Sequence, residues 1–284
     1  MNAITVREAL KRASSFMESL EDDRFLAEII VRHVLGWDRT RLFLGMEEFI
    51  SMQQWSEVER MVKERLQGVP VQYLIGEQEF YGLSFRVNPS VLIPRPETEI
   101  LVEQVLHRRD VSDALTVADI GTGSGAIAVS LAVHSQWKVY AVDIAQESLD
   151  TAQENSRIHG VEQQITFLKG DLLDPLLQPV DILVSNPPYI PSSDVLELDV
   201  QVKDHEPMRA LDGGEDGLDF YRRLCKGLPQ VLRPGGLVAF EVGMGQARDV
   251  EQLLLRTGVI ARTEVIQDLA GIERIVIGDG KAGL

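Results

Sequence analysis

The chain has 284 residues, 44% of them hydrophobic, so it can form more than one domain and a sizeable core. Its net charge of −16 argues against a protein that grips duplex nucleic acid, because that grip comes from clustered Lys and Arg. The single cysteine, Cys225, excludes an internal disulfide and fits a reducing compartment. No apolar signal core begins the sequence, and no run approaches 18 uncharged apolar residues, so we expect a soluble cytoplasmic protein without membrane contact.

The first part of the chain, from residue 4 to about 67, is predicted to be helical. Its hydrophobic residues recur at spacings of three or four. The second helix is expected to begin at Asp22 or Asp23 and to end at Gly36, and the third to run from near Ser51 to Gly68. We interpret residues 1–76 as a small helical domain, which is either a docking surface for a substrate protein or a structural cap.

Residues 77–96 have the pattern of a hairpin linker. An alternating run turns near Gly82, and several prolines follow it and exclude a helix. Pro96 and the acidic residues after it suit the first turn of a helix that runs to about Arg108. Arg95 is either a linker charge or a residue that reaches the active site.

Residues 97–284 alternate between strand and helix patterns, which predicts an α/β domain with a mostly parallel sheet. We interpret Pro234-Gly235-Gly236 as a turn that stops one helix before the next strand. The strands are expected near 115–120, 138–142, 165–168, 181–184, 237–242, 262–267 and 272–277, and the helices near 126–133, 146–159, 217–232 and 246–257.

A glycine-rich turn lies between the first strand and the first helix of this alternation, which is the context that a nucleotide-type site needs. Asp143 ends the next strand, where a carboxylate can hold the two ribose hydroxyls of an adenosine. Asp171 can accept the adenine amino group, with Leu172 against the ring. The predicted cofactor-binding residues are Gly121, Thr122, Gly123, Ser124, Gly125, Asp143, Asp171, Leu172 and Asn186. The turn alone fits either a nicotinamide dinucleotide or S-adenosylmethionine.

The segment Asn186-Pro187-Pro188-Tyr189 follows a buried strand and is expected to carry the chemistry. Asn186 offers an amide oxygen, and the two prolines remove two backbone donors in a row, which leaves carbonyl oxygens available to a ligand. Tyr189 offers a flat aromatic face. These groups predict a slot for a planar group that carries an NH2, so they favour S-adenosylmethionine and methyl transfer to nitrogen. A hydride-transfer enzyme would need a proton relay that the sequence lacks.

The chain resembles the protein-(glutamine-N5) methyltransferases, and most of all the branch that modifies peptide chain release factors. The motifs that carry the resemblance are Pro70 to Gly76, Phe80-Tyr81-Gly82, Leu92 to Glu99, Asp119 to Gly125, Asn186 to Ile190, Glu206-Pro207 and Ala210-Leu211. The resemblance implies a Rossmann-like, seven-stranded methyltransferase domain. It also implies transfer of a methyl group from S-adenosylmethionine to a glutamine side chain, which in release factors belongs to a Gly-Gly-Gln motif.

The predicted mechanism uses few groups. Asn186 and Pro187 accept the two amide hydrogens of the substrate glutamine, Tyr189 packs on its stem, and Pro188 completes the substrate site. We expect no metal, no direct nucleic-acid contact and a monomer. A ribosomal-protein glutamine methyltransferase, an adenine-N6 nucleic-acid methyltransferase and a cofactor-binding module without catalysis are the alternatives. His205-Glu206-Pro207 is interpreted as a lid over the substrate, with a capped turn as the alternative, and the role of the wider segment 203–212 is not assigned.

Overall fold

The computed structural model describes residues 4–283, and its N-terminal part is helical, as predicted. The elements there are β1 Ile4–Thr5, α1 Val6–Phe16, α2 Asp23–Leu35, α3 Arg39–Leu44, β2 Phe49–Ile50, α4 Met52–Leu66 and α5 Val71–Ile75. The helices expected before Gly36 and before Gly68 are confirmed. The pairing of β1 with β2 and the short helix α3 were not predicted, because such short elements carry no hydrophobic period.

Local signals explain where the longer helices begin and end. At the start of α4, the Ser51 hydroxyl accepts from Gln54 N at 3.1 Å and the Gln54 side chain accepts from Ser51 N at 2.8 Å. This reciprocal pair satisfies two backbone donors that the helix cannot use itself. Gly36 ends α2 in the left-handed conformation, which glycine adopts at little cost.

The chain divides into two compact units. The first comprises the described chain as far as Gly76 together with Asp199–His205. Within that unit the His205 ring contacts Gln67 O at 3.4 Å, and a Cβ at Gly68 would lie 2.8 Å from the Val200 side chain. The second unit begins at Glu77 and omits only the segment that packs with the first. The domain boundaries expected from the sequence, 1–76, 77–96 and 97–284, stay predictions.

The predicted hairpin is present as β3 Glu77–Phe80 and β4 Leu83–Arg86, and it turns at Tyr81 and Gly82, both at positive φ. Asn155 attaches it to the α/β domain. The Asn155 side chain accepts from Arg86 N at 2.7 Å and donates to Arg86 O at 3.0 Å.

The predicted α/β fold class is confirmed, with a single seven-stranded sheet. The elements of this part are α6 Pro96–Arg108, β5 Thr116–Ile120, α7 Ala126–His134, β6 Lys138–Asp143, α8 Gln146–Ile158, β7 Ile165–Lys169, β8 Val180–Ser185, α9 Ser192–Val195, α10 Val200–Lys203, a 3-10 turn Met208–Ala210, α11 Asp219–Val231, β9 Leu232–Glu241, α12 Ala247–Arg256, β10 Ile260–Gln267 and β11 Glu273–Gly280. Helix α10 belongs to the first compact unit. No helix among the described residues is long and apolar enough to cross a membrane.

The sheet has the strand order β10-β11-β9-β8-β5-β6-β7. The strands from β9 to β7 pair in parallel, whereas β11 pairs antiparallel with both β9 and β10. The chain moves outward from β5 to β6 and β7, and then returns to place β8 on the other side of β5. Ligands of open α/β sheets bind at such a reversal, beyond the carboxyl ends of the strands.

Each face of the sheet carries its own hydrophobic core. Neighbouring residues of β5 point to opposite faces, so Val117 packs with α6 and α7 while Ala118 packs with α11 and α12. The residues of β8 divide in the same way, with Ile182 on one face and Leu183 on the other. Burial on both faces explains why these strands read as continuous apolar runs.

The prediction of a turn at Pro234-Gly235-Gly236 was wrong. These residues lie within β9, which begins at Leu232. The register slips between the pairs Val180–Leu232 and Ile182–Leu237, so the extra residues bulge out of the ladder. A bulge tolerates a proline and a glycine at positive φ, which a regular central strand does not.

Candidate active site

The glycine-rich turn joins β5 to α7 and packs against the neighbouring strand β6. Gly121 N and Thr122 N both donate to Val142 O at 2.9 Å, which fixes the turn at the end of β6. Gly125 has a φ of +80°, and a Cβ there would lie 2.9 Å from the Ala152 Cβ of α8. Glycine is therefore required where α7 starts so close to α8.

Asp143 links this turn to the end of β6. Its Oδ2 accepts from Gly123 N at 2.9 Å, and its Oδ1 accepts from Ala145 N at 2.9 Å. An ionised carboxylate can accept about four hydrogen bonds, so each oxygen keeps the capacity for one more donor. The arrangement fits a carboxylate that holds two hydroxyls of a ribose.

A cavity of about 550 Å³ opens beyond the carboxyl ends of β5, β6 and β8. The predicted residues that line it are Gly121, Gly123, Asp143, Asp171, Leu172, Asn186, Pro187 and Pro188. The predicted residues that do not line it are Thr122, Ser124, Gly125 and Tyr189. The structure thus brings the glycine turn, the two aspartates and the Asn-Pro-Pro segment to one cavity, although these groups are far apart in the sequence.

The residues of the turn that face away from the cavity hold its shape. The Thr122 hydroxyl donates to Asp119 Oδ2 at 2.6 Å, and Ser124 O accepts from the Asn155 side chain at 2.9 Å. Burial raises the pKa of Asp119 to about 7, although the hydrogen bonds from Thr122 and Ala128 N oppose that shift. Asp119 Oδ1 has no hydrogen-bond partner among the described residues.

One wall of the cavity comes from residues that the sequence did not single out. Ile144, Phe220 and Arg223 line it, and the Arg223 guanidinium lies 6.0 Å from the Phe220 ring centre. Asp171 Oδ2 accepts from Arg223 Nη2 at 2.6 Å. The carboxylate expected to bind an adenine amino group therefore has a charged partner as well. Phe220 and Arg223 occur on an amphipathic helix without any motif, so no sequence signal marked them.

A second wall consists of residues 90–92 and 207–210. The Arg209 guanidinium donates to Ser90 O and so joins the two segments. The interpretation of His205-Glu206-Pro207 as a lid stays a prediction. Arg95, whose role the sequence left open, pairs with Glu206 at 2.6 Å. Burial raises the pKa of Glu206, and the Arg95 charge opposes this shift.

The side chain of Asn186 is held from behind by two buried residues. Asn186 Nδ2 donates to Thr98 Oγ1 at 3.1 Å, and Thr98 Oγ1 donates to Glu241 Oε2 at 2.6 Å. The amide nitrogen is thus occupied within the protein, which leaves Oδ1 as the part of the amide available to a ligand. Pro187 lines the same cavity, so its backbone carbonyl is the candidate for a second acceptor beside Asn186 Oδ1.

Tyr189 has a different environment from the one expected. Its ring packs against the core around α11 and β9 and does not line the cavity. Its carbonyl accepts from Gln246 Nε2 at 2.9 Å, so this oxygen is not available to a ligand. Burial, together with the nearby charge of Glu241, raises the pKa of the hydroxyl.

Comparison with protein-family models gives two matches that together span much of the chain. The PrmC N-terminal domain matches residues 8–76, and the methyltransferase small domain matches residues 96–201. A solved structure of the T. thermophilus 16S rRNA N2 G1207 methyltransferase, in complex with AdoMet and guanosine, has a TM-score of 0.53 and 20% identity. It covers 72% of this chain and 50% of that one, and the likeness concerns the fold alone.

Full-length relatives are much more similar. A release factor glutamine methyltransferase of Bacillus anthracis is 49% identical over 281 residues, which cover 96% of this chain and 99% of that protein. Another, from Moorella thermoacetica, is 43% identical over 275 residues, which cover 95% of this chain and 97% of the relative. With such identity over nearly the whole length of both proteins, the chain belongs to the release factor glutamine methyltransferase family.

Proposed function

We propose that this enzyme transfers a methyl group from S-adenosylmethionine to the side-chain amide nitrogen of a glutamine in a peptide chain release factor. One observation carries the proposal. Asn186 and Pro187 line the same cavity as Gly121 and Asp143, so the amide acceptors and the cofactor site share one cavity. A methyl donor bound there would lie within reach of a nitrogen held by the tip of β8.

The chain offers a fitting group for each part of the cofactor. Asp143 would bind the ribose hydroxyls through its remaining acceptor capacity. Asp171 would accept from the adenine amino group, and Leu172 and Phe220 would supply apolar walls for the ring. The glycine turn lets backbone approach the bound molecule closely. When bound, S-adenosylmethionine supplies a methyl group activated by its sulfonium, and the product is S-adenosylhomocysteine.

The protein would act on the glutamine by orientation and electrostatics. The amide nitrogen is a poor nucleophile because its lone pair is delocalised into the carbonyl. Asn186 Oδ1 and Pro187 O would accept its two hydrogens, aim the nitrogen at the methyl group and stabilise the positive charge that develops on it. One proton then leaves for water, so no base is required before transfer. Pro188 would border the slot, and Tyr189 would support the segment from the core side.

The choice of a release factor is supported by the relatives, whose names specify release factor glutamine methylation. The Gly-Gly-Gln motif as the site of the glutamine is what the family resemblance implies. A ribosomal protein and an adenine base in DNA are the competing methyl acceptors. The net charge of −16 counts against DNA. Action as a cytoplasmic monomer without direct nucleic-acid contact is part of the same proposal.

A labelling experiment tests the proposal. The enzyme is incubated with methyl-labelled S-adenosylmethionine and, in separate samples, with a release factor, ribosomal proteins and DNA. We expect label in the release factor alone, on the glutamine of the Gly-Gly-Gln motif. A release factor with alanine in place of that glutamine is the matched control and should take up none. Label confined to ribosomal protein or to DNA would refute the release-factor assignment.

A further inference from the structure

We propose that Thr98 and Glu241 are positioning residues that hold the Asn186 amide with its oxygen toward the substrate. The inference rests on the proposed function, because it concerns how Asn186 is made ready to accept hydrogens from a glutamine amide. The three side chains come from the start of α6, the end of β9 and the tip of β8, so only the folded sheet brings them together.

The Thr98 hydroxyl fixes the orientation of the Asn186 amide, because it has a single hydrogen to donate. A threonine hydroxyl has one hydrogen, and here it is donated to Glu241 Oε2 at 2.6 Å. Thr98 Oγ1 can therefore only accept from Asn186, so the amide NH2 must lie toward Thr98 at 3.1 Å. The amide oxygen is then directed to the opposite side. A side-chain amide can otherwise rotate by half a turn with little change of shape, which would present NH2 groups to a substrate that also carries NH2.

Burial makes this arrangement stringent. Thr98 is 4% exposed and Glu241 is 2% exposed, so water cannot replace a missing partner. The direction of the hydroxyl hydrogen depends on an ionised Glu241. If Glu241 gains a proton it can donate to Thr98, and the hydroxyl hydrogen becomes free to turn toward the oxygen of Asn186.

Glu241 is able to change its charge near neutral pH. Burial, together with the charge of Glu97, raises its pKa to about 7, although Thr98, Arg274 and Asn186 oppose the shift. Two phenols, Tyr189 and Tyr221, also interact with its charge, and the Tyr221 hydroxyl donates to the Glu241 backbone oxygen at 2.7 Å. As the pH falls through about 7, the Asn186 amide should therefore lose its fixed orientation.

A direct test follows the side-chain NH2 resonances of Asn186 by NMR in the enzyme without substrate. The resonances are assigned from their loss in Asn186→Ser. We expect them to shift with a midpoint near pH 7 in the wild type and in Thr98→Ser. In Glu241→Gln, which has no titrating carboxyl at this position, the shift should be absent. Resonances that do not move between about pH 5.5 and 8.5 in the wild type would overturn the inference.

Kinetics give the second readout. Thr98→Val keeps the shape of the side chain but lacks the hydroxyl, so kcat should fall roughly 10- to 100-fold, while KM for the release factor and cofactor affinity change little. Thr98→Ser restores the hydroxyl and should restore most of kcat. Wild-type kcat in Thr98→Val would overturn the positioning role, as would an equal loss in Thr98→Ser.

The two readouts separate this inference from the proposed function. A wild-type enzyme that methylates no release factor, but whose Asn186 resonances titrate as expected, would refute the proposed function. It would still support the orientation of Asn186 by Thr98 and Glu241. An active enzyme whose Asn186 resonances do not shift with pH would refute only the orientation of Asn186 by Thr98 and Glu241.

Discussion

Replacing Asn186 with alanine tests the central step of the mechanism. The substitution removes one of the two acceptors for the glutamine amide and leaves the other, Pro187 O, because that oxygen belongs to the backbone. Losing one preorganised polar group aimed at a developing charge typically costs about 2.7–4 kcal/mol, so kcat should fall about 10²- to 10³-fold. Cofactor affinity should change much less, since most lining residues remain.

Single-turnover methylation of the release factor measures the chemical step, and calorimetry with the cofactor measures binding. Gln252→Ala is the matched control. Gln252 also carries a hydrogen-bonded side-chain amide, whose oxygen accepts from Arg256 Nη2 at 3.3 Å, but it is exposed on α12 and does not line the cavity, so its loss should leave the rate nearly unchanged. Wild-type turnover in Asn186→Ala would refute the amide clamp, and so would an equal loss in both variants.

Three further outcomes are expected from the same geometry. Asp143→Ala should weaken cofactor binding about 10- to 100-fold in calorimetry, because hydrogen bonds to a charged group contribute roughly 1.5–3 kcal/mol; unchanged affinity would contradict the ribose role. Gly125→Ala should lower the free energy of unfolding in urea by more than about 1 kcal/mol, given its positive φ and the nearby Ala152, whereas Gly258→Ala, at positive φ in open space, should cost less. The folded protein holds the Asp119 proton more tightly than the unfolded chain, so this group's contribution to stability is complete below its ordinary pKa of 3.8 and is lost as the pH rises to about 7. In Asp119→Asn, the Tm should depend less on pH between these two values than it does in the wild type. An unaltered dependence of the Tm on pH would contradict the raised pKa.

Much of the fold could be predicted because its signals are local. Strands buried on both faces are continuous apolar runs, and Ser51 and Gly36 mark helix ends by their own chemistry. Pro234-Gly235-Gly236 was predicted to be a turn, because proline and glycine commonly follow a helix. The same residues also fit a β-bulge, where the register of two paired strands shifts. Its cause is the pairing with β8, which the local sequence does not reveal.

In the candidate site, too, the residues marked by local sequence could be predicted and those placed by tertiary packing could not. Gly121, Asp143 and Asn186 follow strand ends, so parallel pairing alone predicts that they meet. Phe220 and Arg223 could not be foreseen, because their place at the cavity depends on how α11 packs. The same holds for Glu241, which lies 143 residues from its partner Thr98. Tyr189 packs against the core and does not line the cavity, because an aromatic residue after two prolines can turn either toward a ligand or into the core; its contact with the glutamine stem stays a prediction.

The course of the main chain through the two compact units has a practical consequence. Asp199–His205 is an excursion from the larger unit that folds with the smaller one. Cutting the polypeptide at Gly76 would consequently not yield two self-sufficient halves. The shorter fragment would lack Asp199–His205, which packs within its unit. The longer fragment would carry that segment without its packing partners around Gly68. Dissection of this enzyme is better done by point substitution than by truncation.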